Sequence, residues 1–473
     1  MLGFLKRSPR PPSPLPPGPR GLPVLGTLPD FQREPLGFLL DVYRRHGELV
    51  TLPFPGQPRV AVFAPELVNE MLVAPEHVID KTTLGGFFGL GFARAISGTG
   101  LITTSGEEHR LHRQLVLRAF GSQYLAGYQE LIREITAGVL GQWRPDTEVD
   151  LVPELTRLGK RVAGRLLYGR DMVEHPGEVA EALDRVTATL DSSVQVFTAS
   201  VLPWDVPGVS QGGTIRRDLR RIDTWFRQLA ADTGNRSLGH TLLQLGAHTE
   251  GWGVERVRDN LLQLYLTGYD TTTCAAQWLF YLLAQHPRAC ATLLAELAQK
   301  LGGRDPSLEE LQSLRYLDAV VKEALRLYPT GPFGFRQTRQ ALELGGYRLP
   351  SGTVLVYSPW VTHRIPRVFP EPESFRPERF LEAAPPKGAY VPFGQGARSC
   401  VAATLATLQL KTWAAMVLQR FRLDVVPHQE VNAISLNAIH LLPGLRVRVS
   451  SQDARTERSP APVFGNVSGA LPR

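Results

Sequence analysis

A mainly α-helical fold with small β-sheets is what this sequence predicts, and three patterns carry the prediction. The stretch Gly253–Gln285 is apolar on nearly every side, so it reads as one buried helix of about 50 Å at 1.5 Å per residue. Several further segments place apolar residues at helical spacing. Strand-like runs are short and gather towards the two ends of the chain.

Taken in order, "PLGFLLDVYRRHG" is amphipathic and stops at a glycine, as helices commonly do. "GELVTLPFPGQPRVAVFAP" reads as two strands around a Pro/Gly turn. "HRLHRQLVLRAF", "YQELIREITAGVLGQW" and "LTRLGKRVAGRLLYG" each predict a helix, whereas "YRLPSGTVLVYSP" and "HLLPGLRVRV" predict late strands. Ahead of these lies a proline-rich stretch over residues 1–27, expected to form an extended arm. Residues 28–449 show no strong linker and read as a single domain. Residues 450–473 are polar and rich in Pro, Gly and Ser, and are expected to be disordered.

Composition narrows the function. With 473 residues and 43% hydrophobic content the chain can bury a large core. The net charge of +7 is spread along amphipathic helices without a dense basic run, which argues against nucleic acid as a partner and fits an acidic protein or an anionic surface. The apolar stretch before Lys6 is too short to span a bilayer. The three cysteines, Cys274, Cys290 and Cys400, show no metal-ligand pairing and no disulfide framework. Cys274 and Cys290 read as small buried hydrophobes.

Cys400 differs. It ends "PFGQGARSC", a glycine-bearing turn running into the helical pattern "VAATLATLQLKTWAAMVLQRF". A helix N-terminus offers partial positive charge and unpaired N–H groups, both of which favour a thiolate. Gly394 and Gly396 let backbone amides approach the sulfur, Arg398 could pair with a cofactor carboxylate, and Phe393 could pack on a flat ligand. On its own such a cysteine is more often an inert buried thiol.

The order of motifs changes that balance. F-G-Q-G-A-R-S-C resembles the haem-ligand signature of the cytochrome P-450 superfamily, "EALR" its E-x-x-R pair, and "FRPERF" its P-E-R-F segment. The resemblance runs over roughly residues 18 to 449. It implies a fold with haem b between a long central helix and the cysteine-bearing helix, and Cys400 as the iron ligand. It further implies a buried ion triad of Glu323, Arg326 and Arg379 under the haem-binding loop. One position departs: Ala402 stands where the family has glycine, and its methyl should tighten the contact with the porphyrin.

"LTGYDTTT" in the long helix places an acid beside hydroxyls among apolar residues, which is costly to bury without a purpose. By themselves the threonines could simply bond back to helix carbonyls. By resemblance, the helix bulges here over the haem, and Asp270 and Thr271 form an acid–alcohol pair. Thr271 would hydrogen-bond the oxygen being activated while Asp270 relays protons. His109 and Arg113 match a bacterial H-x-x-x-R variant and, with Arg336 and Arg398, are the candidates for the haem carboxylates. His363 and His440 read as structural.

Substrate-facing residues follow from resemblance as well: Phe87, Phe88 and Phe92 in a roof loop that also holds Arg94, then Thr267, Pro332, Phe333 and Ile439. These segments are nearly uncharged, so the substrate should be large and apolar. The resemblance is nearest to bacterial, cytoplasmic members that hydroxylate carotenoids and fatty acids, with a carotenoid or other terpenoid favoured. Trp204 could dip into a membrane surface, giving peripheral contact. Electrons would come from NAD(P)H through a separate ferredoxin and its reductase or a flavodoxin-type donor, docking on the monomer near Arg110, Arg118 and Lys411. The rival readings are a peroxygenase, against which the Asp270–Thr271 pair argues, and a haem-thiolate sensor without turnover, which would need no proton relay.

Overall fold

A computed structural model describes residues 15–56, 58–81, 98–174, 177–190, 204–208, 210–232, 237–435, 438–454 and 459–467. Its centre is the helix Val254–Gln285, with Trp278, Phe280 and Tyr281 buried. The indole of Trp278 stacks on Tyr328 at 3.8 Å between ring centroids. Among the described residues this helix packs most extensively on Leu151–Tyr168, Arg315–Leu327 and Ala403–Arg420. Its crossing with Leu151–Tyr168 depends on Gly159, where a Cβ would lie 2.3 Å from Cγ2 of Thr273.

Strands are few and short, as the sequence predicts. A five-stranded sheet runs Leu49–Leu52, Arg59–Val62, Val354–Tyr357, Gly334–Thr338, Ile79–Asp80, with one parallel pairing between Arg59–Val62 and Val354–Tyr357. A three-stranded sheet joins Phe421–Val425, Arg446–Ser451 and Thr147–Asp150. Ile439–Leu442 pairs with Asn432–Ser435, setting His440 opposite Ile434.

The proline-rich stretch lies against the first sheet where it is described: Thr51 N–H donates to the carbonyl of Pro17, and Thr27 bonds Pro53. The disorder expected from residue 450 does not hold for the described part of that segment. The strand Arg446–Ser451 crosses the expected boundary, Phe464 bridges to Glu430, Gln285 holds both backbone groups of Ala461, and Val467 is buried. Scattered apolar residues, here Ala461, Val463 and Val467, give a polar stretch enough to bury, and composition averages them away.

Candidate active site

The cysteine loop is built by two turns. Gly394 (φ 65°) and Gly396 (φ 73°) adopt the left-handed region that favours glycine, and a Cβ at Gly396 would strike the carbonyl oxygen of Leu72 at 2.1 Å. Cys400 N–H donates to Phe393 O at 2.8 Å, closing the loop on itself. The helix Ala403–Arg420 starts just beyond, with Ala402 as its N-cap. Burial pushes the Cys400 thiol up, opposed by the Ala402 N–H aimed at the sulfur and by the charge of Arg113.

Behind the loop sits the predicted ion triad. Glu323 accepts from Arg326 at 2.7 and 2.9 Å and from Arg379 at 3.0 Å, and all three side chains are buried. Arg326 also donates to the carbonyls of His363, Pro372 and Ser374. His363 carries the support onward: its Nδ1 lies 3.2 Å from Arg326 O, and its Nε2 accepts Val391 N–H at 2.9 Å, just ahead of Pro392 and Phe393. Burial pushes its pKa down to about 3, with Arg326 adding to the effect. The structural reading of His363 holds, and its connecting role was invisible in the sequence.

A cavity of about 620 Å³ lies between the cysteine loop and the long helix, lined among others by Cys400, Phe393, Thr267 and Thr271. One wall is cationic: Arg113, Arg336 and Arg398 line it beside His109, and so does Lys81, which sequence reasoning passed over. Lys81 Nζ donates to Ile102 O at 2.8 Å, and its pKa is pushed down to about 7 by burial and then by Arg398 and Arg336. Cations crowded enough to depress one another fit a ligand bearing carboxylates.

The candidates do not share that task as expected. His109 is neutral near neutral pH, its pKa pushed down to about 3 by burial and by Arg398 and Arg113, so it is not a cationic partner. Arg113 donates to Ser399 O and Oγ at 2.6 and 2.8 Å, bracing the residue before the cysteine. Arg398 is already matched by Asp80 at 2.9 Å and Glu76 at 3.1 Å. Among the described residues Arg336 donates to its neighbour's carbonyl, Phe335 O, and otherwise meets the Tyr357 ring, leaving it and Lys81 as the better-placed cations. For Arg113 and Arg398 the acceptor that takes the guanidinium is set by the fold and distant in sequence.

On the opposite wall the helix is unbroken, so the bulge implied by resemblance is not seen. Thr267 bonds Gln263 O, Thr271 bonds Thr267 O, and Thr272 bonds Gly268 O, the back-bonding that hydroxyls adopt in mid-helix. Thr271 faces the cavity, while Asp270 turns away from it towards Cys274 and His440. Cys274 is thus buried as read, but beside two ionisable groups, and His440 is more than a packing residue.

Phe333 and Thr267 line the cavity as expected. Pro332 and Ile439 do not: the carbonyl of Pro332 accepts from Ser358 Oγ, and Ile439 is held between Thr330 O and Trp278 Nε1. Thr330 and Gly331 take their place, with Val162, Ala163 and Leu166 from the neighbouring helix. Phe87, Phe88, Phe92 and Arg94 lie outside the described residues. Lys411 is buried beside Asp318, so it cannot meet a docking partner; Arg110 and Arg118 are exposed. Trp204 is exposed, and no helix among the described residues is long and apolar enough to cross a membrane.

The family model for cytochrome P-450 matches residues 16–446. Among known proteins, the chain is similar to cyclooctat-9-en-7-ol 5-monooxygenase of Streptomyces melanosporofaciens, 32% identical over 424 residues that make up 86% of this chain and 89% of that one. It is similar to cyclooctatin synthase of the same organism, 32% identical over 425 residues, 87% and 91% of the two chains. Pentalenene oxygenase of Streptomyces avermitilis is 28% identical over 445 residues, 92% and 97% of the two chains.

Proposed function

The chain belongs to the cytochrome P-450 family and is a monooxygenase of it, and from that premise we propose that it hydroxylates a large cyclic terpenoid with Cys400 as the thiolate ligand of its haem. Bound through a thiolate, haem supplies the oxygen activation and one-electron chemistry of the reaction. The observation that carries the reading is Cys400 facing a cavity of about 620 Å³ whose lower rim is cationic and whose upper wall presents Thr267 and Thr271.

The chain's own side chains do the rest. Lys81 and Arg336 are the residues to hold the haem carboxylates, with His109 as a neutral hydrogen-bonding neighbour. Arg113 and the Ala402 N–H orient the cysteine and offset its desolvation. Thr271 presents Oγ1 to the cavity while its own proton bonds Thr267 O, and Asp270, one residue back, exchanges protons with the far side of the helix. Phe333, Val162, Ala163 and Leu166 exclude water and bind apolar surface.

A terpenoid is favoured over a fatty acid because relatives covering most of the chain are named for cyclooctat-9-en-7-ol and pentalenene, an alkenol and an alkene. A carotenoid is the longer member of that class. Electrons are supplied by a separate ferredoxin or flavodoxin-type donor fed from NAD(P)H, and exposed Arg110 and Arg118 suit an acidic partner.

Two measurements test this. The haem-loaded protein, reduced under carbon monoxide, should show the red-shifted band of thiolate ligation, and Cys400→Ser should lose it; a band retained in that variant overturns the ligand assignment. Titration of the ferric protein with cyclic sesquiterpenes and diterpenes, carotenoids and fatty acids should give a spin shift with the cyclic terpenes. A shift with fatty acids alone would refute the substrate class.

A further inference from the structure

The long helix presents two stripes. Thr267 and Thr271, four residues apart, face the cavity, whereas Asp270, Cys274 and Trp278 share another face at the same spacing. That second face meets the strand Ile439–Leu442. Trp278 Nε1–H donates to Ile439 O at 2.8 Å, and Ile439 N–H donates to Thr330 O at 3.2 Å, so the strand is pinned on both sides at this residue. The next residue, His440, is thereby set against the rest of the stripe. Its Nε2 lies 3.4 Å from Asp270 Oδ2 and its Nδ1 3.5 Å from Cys274 Sγ, while Cys274 Sγ lies 4.0 Å from Asp270 Oδ1. Asp270 and His440 are each under a fifth exposed, at 17% and 18%.

We propose that His440 is the positioning and proton-supplying partner of Asp270. The ring gives its Nε2 proton to Oδ2, leaving a neutral imidazole and a protonated carboxyl; because Nε2 is buried at this contact, the ring must then turn Nε2 outward for water to return the proton. Rotation of the Asp270 side chain then brings that proton to the Thr271 side of the helix. Cys274 steadies the ring from its other nitrogen and gives up no proton. The proposal rests on the reading of Asp270 as the proton donor, and it assigns a role to a residue that no motif marks.

The test uses the full-length, haem-loaded protein with a surrogate ferredoxin and reductase and with pentalenene as probe. The readouts are product formed per NADPH consumed, hydrogen peroxide released, and the solvent isotope effect. We expect Asp270→Asn to lower coupling about a hundredfold, the scale of a lost proton-transfer group, and His440→Phe to lower it about tenfold with a larger isotope effect. His440→Gln keeps a hydrogen-bond donor but shuttles no proton, so it should match His440→Phe, and it stands in if the aromatic variant folds poorly.

On the Asp270→Asn background, His440→Phe should do nothing more. An equal fall in both backgrounds would mean a merely structural residue and overturn the proposal. Unchanged coupling in both His440 variants, with Asp270→Asn impaired, would overturn it while leaving the acid reading intact. Unchanged coupling in Asp270→Asn would overturn both. Independently of turnover, infrared difference spectra of the ferric protein should contain a carboxylate band that Asp270→Asn removes and His440→Phe shifts; a band insensitive to His440 also counts against the proposal.

Discussion

The two walls of the cavity are held by different means. Beneath Cys400, charged groups are fully buried and each has several fixed partners: Glu323 accepts from two arginines and from the Arg376 backbone, and Arg326 spans four residues. Across the cavity, the threonines spend their hydroxyls on their own helix, and the acid makes contacts of 3.4 Å and longer with a histidine and a thiol. Burying charge is expensive, so every donor on the lower wall must be matched, and the matching fixes the loop. On the proposal made above the upper wall passes protons, and such a wall gains from bonds that can be exchanged.

The largest blow to that contrast comes from the lower wall. Glu323→Ala would strand Arg326 and Arg379 without a counter-charge in the interior, at a cost of about 3–5 kcal/mol. Denaturant unfolding should show the loss, and haem absorbance should fall with it because the same network reaches Val391 through His363. Retention of haem at wild-type stability would mean that the loop is set by its glycines alone.

On the upper wall the sharpest handle is steric. Gly159→Val would force its branched side chain onto Thr273 and part the two helices, costing about 1–3 kcal/mol. The spin-shift affinity for a cyclic terpene should weaken along with thermal stability, since Val162, Ala163 and Leu166 lie on the displaced helix. A loss of stability with unchanged affinity would show that this helix does not shape the substrate end.

Much of this was legible in the chain, for stated reasons. The long helix and the cysteine turn are local patterns, each written in one continuous stretch, whereas the Glu323–Arg326–Arg379 triad closes over 56 residues and was legible only through the family resemblance. What could not be read are pairings across long separations: Arg113 with Ser399, Arg398 with Asp80, and His440 with Asp270. A guanidinium's partner depends on which acceptor the fold delivers first, and its type is chemically the same for a haem carboxylate and for an aspartate. Lys81 was missed because a lone lysine carries no periodicity, and Pro332 and Ile439 were misplaced because neighbours in sequence turn to opposite faces of a strand or turn.

A smaller effect tests the link between triad and loop. The ring of His363 stays neutral down to about pH 3 in the fold, whereas in the unfolded chain it takes up a proton near pH 6.5. The unfolded state therefore binds more protons between those values. Its contribution to stability is complete above pH 6.5 and is lost as the pH falls towards 3. His363→Gln should flatten the fall of Tm with acid, only in part, because His109 is depressed in the same way. An unchanged slope would mean that this histidine is not held neutral.

The smallest effect lies on the lower wall beside Cys400, at Ala402. It is the N-cap of the cysteine helix, with φ −100° and ψ 14° and no capping side chain. Alanine is among the poorer caps and glycine a better one, so Ala402→Gly should stabilise the chain by about 0.5 kcal/mol despite the added freedom of the unfolded backbone. The same change removes a methyl from the cavity wall beside Cys400. Thermal melts with and without haem separate the two consequences: a gain in both is a capping effect, and a gain confined to the haem-loaded protein is relief of the porphyrin contact. A loss in both would mean that the alanine methyl packs favourably, and that departure from the family pattern would then serve the lower wall's tight matching instead of straining it.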